Sequence, residues 1–430
     1  MDLVIKPSRG LRGCLTVPGD KSVSHRAIML GALAEGDTVI ENFLPGQDCL
    51  STIECVRKLG VEVTGPENGT VKVAGRGRDG LAEPVEVLDA GNSGTTIRLL
   101  LGILAGQPFF SVITGDSSLC SRPMARVVVP LTLMGARIDG RQNGKYAPLC
   151  VRGGGLKAIE YDSPVASAQV KSSILLAGLF ADGETAVTEP HLSRDHTERM
   201  LRQFGADVAA KSTSVRLKGR PKLAGRKIKV PGDISSAAFL MVAASAVPDS
   251  DITLSGVGVN PTRTGIIEVL SNMGARIELL NPREESGEPV ADVRVRYAGR
   301  LSGVSVGGET IPRMIDEIPA LAVAASIAEG VTEIRDAAEL KVKESDRIAT
   351  VAGLLASFGS SVEILPDGLR VTGGQPLKGC VCESHGDHRI AMAAAVAGLL
   401  ADGDTVVRKA ECMSISFPGF WDALKKIEVK

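Results

Sequence analysis

Aromatic residues are scarce in this sequence. They make up 3% of 430 residues, with one Trp and three Tyr, although hydrophobic residues make up 44%. Ala, Val, Leu and Ile must therefore form the core, and there are few rings on which nucleic-acid bases could stack. Neither sign of charge is in excess either, since 49 basic residues face 50 acidic ones. This balance argues against a nucleic-acid partner or an anionic membrane surface.

Long apolar runs are also missing. No segment contains about 18 uninterrupted apolar residues, and the opening MDLVIK is not a charged leader followed by an apolar stretch. We therefore expect a cytoplasmic protein with no membrane partner. The chain exceeds the roughly 250–300 residues at which a single core stops growing, so two domains are predicted.

Recognised metal and nucleotide motifs are absent. Eight cysteines are scattered without a Cys-x-x-Cys pair, which favours reduced, mostly buried thiols over disulfides or a zinc site, and Cys120 beside Arg122 is interpreted as inert. The histidine pairs in HLSRDH and SHGDH lack the accompanying ligands of known metal sites. GDKS at 19–22 lacks the remainder of a phosphate-binding loop, and no dinucleotide-binding glycine pattern accompanies the motifs. No metal and no cofactor are predicted.

What the sequence does contain is an internal repeat of about seventy residues. One series of amphipathic helices ends in an apolar residue and Gly, followed by a strand-like run. Its members end in VRKLGVEV, LTLMGARI, LRQFGADV, LSNMGARI and LASFGSSVEI, with Gly60, Gly135, Gly205, Gly274 and Gly359 at the shared position. Glycine there predicts a left-handed helix C-cap. The terminal LKKIEV resembles a sixth member, with Glu428 replacing Gly.

A second helix series alternates with the first and is apolar nearly all round, so its members should be buried. They begin at GDKSVSHR, GNSGTTIR, VASAQVKS, GDISSAAF, IDEIPALA and GDHRIAMA. Strand-like stretches such as DTVIEN, ETAVTEP and DITLSGV follow most of them. Six such units predict an α/β protein. The fragment VPGD occurs at both 17–20 and 230–233, which indicates a duplicated crossing between two halves of three repeats.

The starts of these buried helices are polar and lie among basic residues. Unpaired backbone N–H groups and the positive end of the dipole make helix N-termini suited to phosphate or carboxylate. For any one helix, Ser, Thr or Asp acting only as N-cap is the simpler explanation. The set as a whole favours an anion site. Its basic members are Lys21, Arg26, Arg98, Lys171, Lys343, Arg347 and Arg389.

Seven segments, in order, resemble the 5-enolpyruvylshikimate-3-phosphate (EPSP) synthase family: PGDKSVSHR, GNSGTTIR, SRPM, SAQVKSS, IDEIPALA, KVKESDRI and GDHRIAMA. The resemblance implies two inside-out α/β barrel domains, each of three repeats. It implies one discontinuous domain of residues 1–20 and 232–430 and a second of 21–231, with the active site in the cleft between them. The implied reaction is enolpyruvyl transfer from phosphoenolpyruvate to the 5-hydroxyl of shikimate 3-phosphate, with release of phosphate, in aromatic amino acid biosynthesis.

The resemblance also implies roles for individual residues. Asp316 would be the base for the 5-hydroxyl, Glu344 the proton donor to the methylene carbon, and Lys21 would share the proton transfer. The residues implied for shikimate 3-phosphate are Lys21, Ser22, Arg26, Ser167, Gln169, Ser193, Asp316 and Lys343. Those implied for phosphoenolpyruvate are Lys21, Gly94, Arg122, Gln169, Arg347 and Arg389. Arg26 is expected to grip a carboxylate in bidentate fashion. A structural ion pair is the alternative for Asp316 and Glu344.

The segments GDKSVSH, SAQVK, RDHTE and NPTR resemble the second branch of the family. A Lys that some members place before the Thr-Phe-Pro equivalent is replaced here by Ile415. Two alternatives remain: a UDP-N-acetylglucosamine enolpyruvyl transferase, which typically has Lys-Asn near its start where this chain has Lys21-Ser22, and a non-catalytic protein that binds a phosphorylated metabolite. The small-molecule substrates are the only partners expected, and the chain is predicted to be a monomer.

Overall fold

The structure is a computed structural model and describes residues 1–429. Its α-helices are α1 (Lys21–Leu33), α2 (Gln47–Lys58), α3 (Gly94–Ala105), α4 (Ala125–Leu133), α5 (Arg141–Gly144), α6 (Ala168–Gly178), α7 (His196–Gln203), α8 (Ile234–Ala246), α9 (Gly265–Asn272), α10 (Ile318–Ile327), α11 (Arg347–Ser357), α12 (His388–Leu400) and α13 (Phe420–Ile427). The short α5 includes left-handed Gln142 and Asn143, so it is a turn rather than a regular helix.

The first twelve strands are β1 (Leu3–Ile5), β2 (Arg12–Thr16), β3 (Glu35–Glu41), β4 (Glu62–Glu67), β5 (Thr70–Arg76), β6 (Leu88–Asp89), β7 (Phe110–Thr114), β8 (Arg137–Gly140), β9 (Tyr146–Arg152), β10 (Glu160–Asp162), β11 (Glu184–Thr188) and β12 (Val208–Lys211). The others are β13 (Ser214–Lys218), β14 (Lys227–Lys229), β15 (Asp251–Gly258), β16 (Arg276–Glu285), β17 (Glu288–Arg296), β18 (Ser305–Val306), β19 (Val331–Ile334), β20 (Ser361–Leu365), β21 (Gly368–Thr372), β22 (Val381–Glu383) and β23 (Thr405–Arg408).

The chain divides into two compact units. The first comprises Met1–Pro18, Pro231–Glu284 and Pro289–Lys430, and the second comprises Gly19–Val230 and Glu285–Glu288. The sequence-based boundaries at 20/21 and 231/232 therefore differ from the observed ones by one or two residues. The sequence also gave no sign that 285–288 group with the second unit. Each unit has a hydrophobic core of its own.

Five of the sheets have four strands in one common order, a parallel pair followed by two antiparallel neighbours. In the second unit these sheets are β14-β3-β5-β4, β6-β7-β9-β8 and β10-β11-β13-β12. In the first unit they are β2-β15-β17-β16 and β18-β19-β21-β20, with β22-β23-β1 as a three-stranded variant. The shared order is the structural form of the sequence repeat.

Strands distant in sequence close each unit. β14, at the end of the second unit, pairs in parallel with β3 near its beginning. β1 pairs antiparallel with β23, so that the start of the chain completes the sheet of the last repeat. Each unit is therefore a closed set of three repeats.

The helices that are apolar all round lie inside these units. α1, α3 and α6 pack within the second unit, and α8, α10 and α12 pack within the first, with nearly all of their residues buried. The sheets carry many exposed residues, as in β16 and β20. Helices inside and sheets outside make each unit an inside-out α/β barrel, which confirms the predicted fold class.

The glycines at the ends of the amphipathic helices adopt the predicted conformation. Gly60, Gly135, Gly205, Gly274 and Gly359 all have positive φ, between 82° and 107°. Glu428, at the same position after α13, is extended at φ −67° because a side chain there disfavours the left-handed region. Close packing of the buried helices needs glycine as well, since a Cβ on Gly102 would lie 2.2 Å from the carbonyl oxygen of Ser173.

Across residues 1–429, no helix is both long enough and apolar enough to cross a bilayer.

Candidate active site

Five of the six buried helices, all except α10, carry the side-chain caps that their polar starts predicted. In the second unit, the Asp20 carboxylate accepts from Val23 N at 2.9 Å and Ser93 Oγ accepts from Thr96 N at 3.1 Å. In the first unit, Asp233 and Asp387 each accept from a backbone N–H two residues on, at 3.0 Å. Capping thus explains the polar residue at these four starts, whereas α10 has no side-chain cap. The ligand-binding question concerns the cations around the helix starts.

Lys21 is the first residue of α1 and forms an ion pair with the carboxylate of Asp48, near the start of α2. Both side chains are largely buried. The ion pair fixes the ammonium group at the positive end of α1, because Asp48 compensates a charge that would otherwise be costly to hold there. A lysine so placed can contact an anion or exchange a proton.

Arg26 lies one turn further along α1 and is buried. Its Nε donates to Thr197 Oγ1 at 2.6 Å, Nη1 to the Ser22 carbonyl at 2.9 Å and Nη2 to Ser172 Oγ at 2.8 Å. Burial lowers the pKa of Arg26 to about 10. These three bonds use three of the five guanidinium N–H groups, so a bidentate grip on a carboxylate can use the other two, one on each Nη.

Two arginines flank the start of α3. A Cβ on Gly94 would lie 2.9 Å from Arg98 Nη1 and 3.5 Å from Arg122 Nη1. Arg98 Nη1 donates to Gln169 Oε1 at 2.7 Å, and Arg122 Nη2 donates to Asn92 Oδ1 at 2.6 Å. The absence of a side chain at position 94 thus leaves both guanidinium groups close to the backbone at the start of α3.

Ser167 and Ser193 are brought together by a carboxylate that sequence reasoning missed. Glu189 Oε1 accepts from the backbone N–H of Ser167 at 2.9 Å, and Oε2 accepts from the Ser193 hydroxyl at 2.7 Å. Lys171 Nζ lies 2.9 Å from the same carboxylate. The second unit therefore collects all of its predicted residues around the starts of α1, α3 and α6.

In the first unit, Arg347 is surrounded by carboxylates. It contacts both oxygens of Asp387 through Nε at 2.9 Å and Nη2 at 3.2 Å, Glu344 through Nη2 at 2.6 Å, and Asp316 through Nη1 at 3.2 Å. Its side chain is 1% exposed. Burial opposes the charge, but Asp387, Glu344 and Asp316 together raise the pKa of Arg347. Burial alone would raise the pKa of Asp387, but the positive charge of Arg347 outweighs that effect, so the pKa of Asp387 is lowered.

Asp316 is bound by two further cationic side chains. Lys343 Nζ lies 3.3 Å from its Oδ1, and Arg389 Nη1 donates to its backbone carbonyl at 2.9 Å. The five predicted residues of the first unit thus form one cluster at the starts of α10, α11 and α12: Asp316, Lys343, Glu344, Arg347 and Arg389. A cluster of this composition can bind anions and move protons.

The residues that sequence analysis missed are mostly the acidic partners of these cations: Asp48, Glu189, Glu198 and Asp387. A usable signal existed for two of them. Lys171 stands in a helix predicted to be buried, and a buried lysine requires a carboxylate partner. Its partners, Glu189 and Glu198, depend on tertiary structure and cannot be read locally.

The other groups considered in sequence have structural contacts. His196 Nδ1 lies 2.8 Å from Glu288 Oε1, and Cys120 Sγ lies 3.3 Å from the Gly115 carbonyl. Of the cysteines, Cys49, Cys55 and Cys382 are buried and Cys14 is exposed. Among residues 1–429, no His, Cys, Asp and Glu side chains form a cluster suited to a metal ion.

Known proteins are similar to this chain in sequence and in fold. The family model of EPSP synthase (3-phosphoshikimate 1-carboxyvinyltransferase) matches residues 5–424. A 3-phosphoshikimate 1-carboxyvinyltransferase of Pelotomaculum thermopropionicum is 73% identical over 429 residues, covering 100% of this chain and 99% of that protein. One from Desulforamulus reducens is 60% identical over 430 residues, with complete coverage of both.

Solved structures agree. EPSP synthase from Acinetobacter baumannii superposes with a TM-score of 0.89 at 47% identity, covering 100% of this chain and 98% of that one. The enolpyruvyl transferase NikO from Streptomyces tendae has a TM-score of 0.81 at 19% identity, covering 99% and 97%, and shows the shared fold alone. A family match over nearly the whole length, together with these relatives, confirms the sequence resemblance: the chain belongs to the EPSP synthase (3-phosphoshikimate 1-carboxyvinyltransferase) family.

Proposed function

We propose that this enzyme transfers the enolpyruvyl group of phosphoenolpyruvate to the 5-hydroxyl of shikimate 3-phosphate through the residues described above. The reaction belongs to the shikimate pathway of aromatic amino acid biosynthesis. Both substrates carry phosphate and carboxylate groups, so their mutual repulsion must be overcome before the hydroxyl can approach the enol carbon. Cationic side chains are the first requirement.

The observation that carries the proposal is the cluster of Asp316, Lys343, Glu344, Arg347 and Arg389 in the first unit. It combines three cations with Asp316, Glu344 and the neighbouring Asp387 at the starts of buried helices. Arg389 donates to the backbone carbonyl of Asp316 rather than to a carboxylate. This guanidinium supports anion binding, and the carboxylates support general acid–base chemistry.

The proposed chemistry has two steps. In the first step, the oxygen of the 5-hydroxyl bonds to C2 of phosphoenolpyruvate while Asp316 takes the hydroxyl proton. Glu344 or Lys21 gives a proton to C3, and a tetrahedral adduct forms. C3 then loses a proton, the C2–O bond to phosphate breaks, and the enol ether and inorganic phosphate result. The bond between Arg347 and Glu344 supports Glu344 as the group held close to the reacting carbon.

In the second unit, we assign shikimate 3-phosphate to Lys21, Ser22, Arg26, Ser167, Gln169 and Ser193. We assign phosphoenolpyruvate to Lys21, Gly94, Arg122 and Gln169, together with Arg347 and Arg389. The pair of guanidinium groups beside Gly94 supports the second assignment, since forked N–H groups match carboxylate and phosphate better than an ammonium does. The shared cleft, the monomeric state and the cytoplasmic location stay predictions from sequence.

A phosphate-release assay tests the function. With both substrates present, we expect turnover that depends on each, and D316A should lower kcat by about 10²- to 10⁴-fold, as is typical for loss of a general base. Turnover with UDP-N-acetylglucosamine in place of shikimate 3-phosphate would instead support the related enolpyruvyl transferase. Absence of turnover with either acceptor would support a non-catalytic binding protein.

A further inference from the structure

The third repeat contains a charged cluster that the proposed reaction does not use. Lys171, in α6, is 2% exposed, and its Nζ lies 2.9 Å from both Glu189, which follows β11, and Glu198 in α7. It also donates to the Ser193 carbonyl at 3.4 Å. Burial opposes the charge on Lys171, but the two carboxylates more than compensate and raise its pKa. Lys171 therefore stays charged although it is buried in this triad.

Within the triad, Glu189 differs from Glu198 in what else it binds. Its Oε1 accepts from the N–H of Ser167, the N-cap of α6, and its Oε2 accepts from the Ser193 hydroxyl. One carboxylate thus holds two residues of the proposed shikimate 3-phosphate site. Glu198 contacts Lys171, whereas both serines bond to Glu189.

We propose that Glu189, held in place by Lys171, is a positioning residue that orients Ser167 and Ser193 toward shikimate 3-phosphate; this rests on the proposed function. A carboxylate only accepts hydrogen bonds, so Ser193 must give its hydroxyl hydrogen to Glu189. Ser193 can then accept from a ring hydroxyl but cannot donate to phosphate. Ser167 Oγ accepts from Val170 N at 3.5 Å, which leaves its own hydrogen for a phosphate oxygen.

Replacement of Glu189 by Gln tests the proposal. All three groups around Glu189 are donors, and the amide of E189Q offers one acceptor oxygen, so at least one bond is lost. We expect KM for shikimate 3-phosphate to rise about tenfold, as for loss of one hydrogen bond to a charged group, while KM for phosphoenolpyruvate changes less than about twofold. E198Q is the matched control, because it removes the same charge at the same distance from Lys171 without touching a serine.

Both variants should lose similar thermal stability, since both leave the buried lysine with one carboxylate. KM for shikimate 3-phosphate should rise only in E189Q. Equal KM changes in E189Q and E198Q would overturn the positioning role and leave a purely structural one. Should E189Q not fold, E189D keeps the charge while withdrawing the carboxylate by one methylene, and the same selective rise in KM is expected.

A second variant tests whether the effect passes through the serine. S193A alone should raise KM for shikimate 3-phosphate, and adding S193A to E189Q should raise it little further, because the two changes remove the same contact. Fully additive effects would contradict the proposal. If the unaltered enzyme releases no phosphate from the two substrates, the proposed function itself fails. If it is active but E189Q shows no selective change, only the positioning role fails.

Discussion

Gly94 leaves room for two guanidinium groups beside the start of α3. In G94A, the methyl group would lie 2.9 Å from Arg98 Nη1, inside ordinary contact distance, and 3.5 Å from Arg122 Nη1. Because an arginine end can move, we expect the fold to persist and the guanidinium groups to shift. KM for phosphoenolpyruvate should rise about tenfold, as for a weakened charge-assisted hydrogen bond.

Steady-state phosphate release at varied concentrations of each substrate measures this effect. KM for shikimate 3-phosphate provides the internal comparison, because its proposed contacts lie mainly at α1 and α6. An equal rise in both KM values, or none in that for phosphoenolpyruvate, would show that Gly94 is not at the phosphoenolpyruvate site.

His25 is buried among cations. Its Nδ1 lies 2.6 Å from Thr52 Oγ1, and burial, reinforced by Lys21 and Arg26 on the same helix, keeps the pKa of His25 well below its ordinary value. The folded state thus resists a proton that the unfolded chain accepts below pH about 6.5. The contribution of His25 to the free energy of unfolding should be fully present above that pH and should fall as the pH decreases below it.

Urea unfolding at pH 7.5 and pH 5.5 measures this linkage. At pH 5.5, one unit below the ordinary pKa of histidine, His25 should lower the free energy of unfolding by about 1.4 kcal/mol. Carboxylates such as Asp387 add their own losses at lower pH, so H25Q is the necessary comparison. H25Q should be less stable at pH 7.5 yet lose less on acidification. An unchanged difference between the two pH values would exclude His25 as the source.

At this scale, the sequence predicted residue types better than their contacts. The cations Lys21, Arg122 and Arg389 were recognised because they lie in motifs. Their acidic partners, such as Asp48 and Asp387, were not, because an ion pair between helices depends on how those helices pack. A capping residue can also hold a candidate binding residue, since Asp387 caps α12 and accepts from Arg347.

At the scale of elements, close contact between α3 and α6 depends on Gly102. A Cβ there would lie 2.2 Å from the Ser173 carbonyl oxygen. Two closely packed helices cannot move apart at one contact without losing other packing contacts. G102A should therefore lower the free energy of unfolding by about 1–3 kcal/mol, the usual cost of overpacking.

The control for this prediction is G353A, at an exposed position of α11, where an added Cβ meets no atom within 4 Å. It should stabilise the protein by about 0.5–1 kcal/mol, because alanine is the better helix residue. Chemical denaturation of both variants gives the comparison. If G102A were as stable as G353A, the helix crossing would be more adaptable than its geometry indicates.

The helices were the elements that the sequence predicted best. Their periodicity and terminal glycines are local signals, and both helix series were found in the expected order. The pairing of β14 with β3 and of β1 with β23 was not predicted, because a three-residue strand carries no local indication of a partner far along the chain.

At the scale of the whole molecule, two separate cores indicate two cooperative folding units. Trp421, the single Trp of the sequence, lies in α13 of the first unit, so its fluorescence reports on that unit, whereas far-ultraviolet circular dichroism reports on both. Ile5 in β1 and Ile40 in β3 are both fully buried, one in each unit. Substitutions of these two residues therefore form a matched pair that tests whether the two units unfold separately.

I5A and I40A should each cost about 2–5 kcal/mol, the range for removing a large aliphatic side chain from a core. The two variants should differ in which unfolding transition shifts to lower urea concentration. I5A should lower the urea midpoint seen by Trp421 fluorescence, because β1 completes the last sheet of the first unit. I40A should lower a circular dichroism transition and leave the Trp421 midpoint unchanged. If both variants shift both signals equally, the two cores unfold as one cooperative unit, and closure of each barrel by its own distant strands does not make it independent.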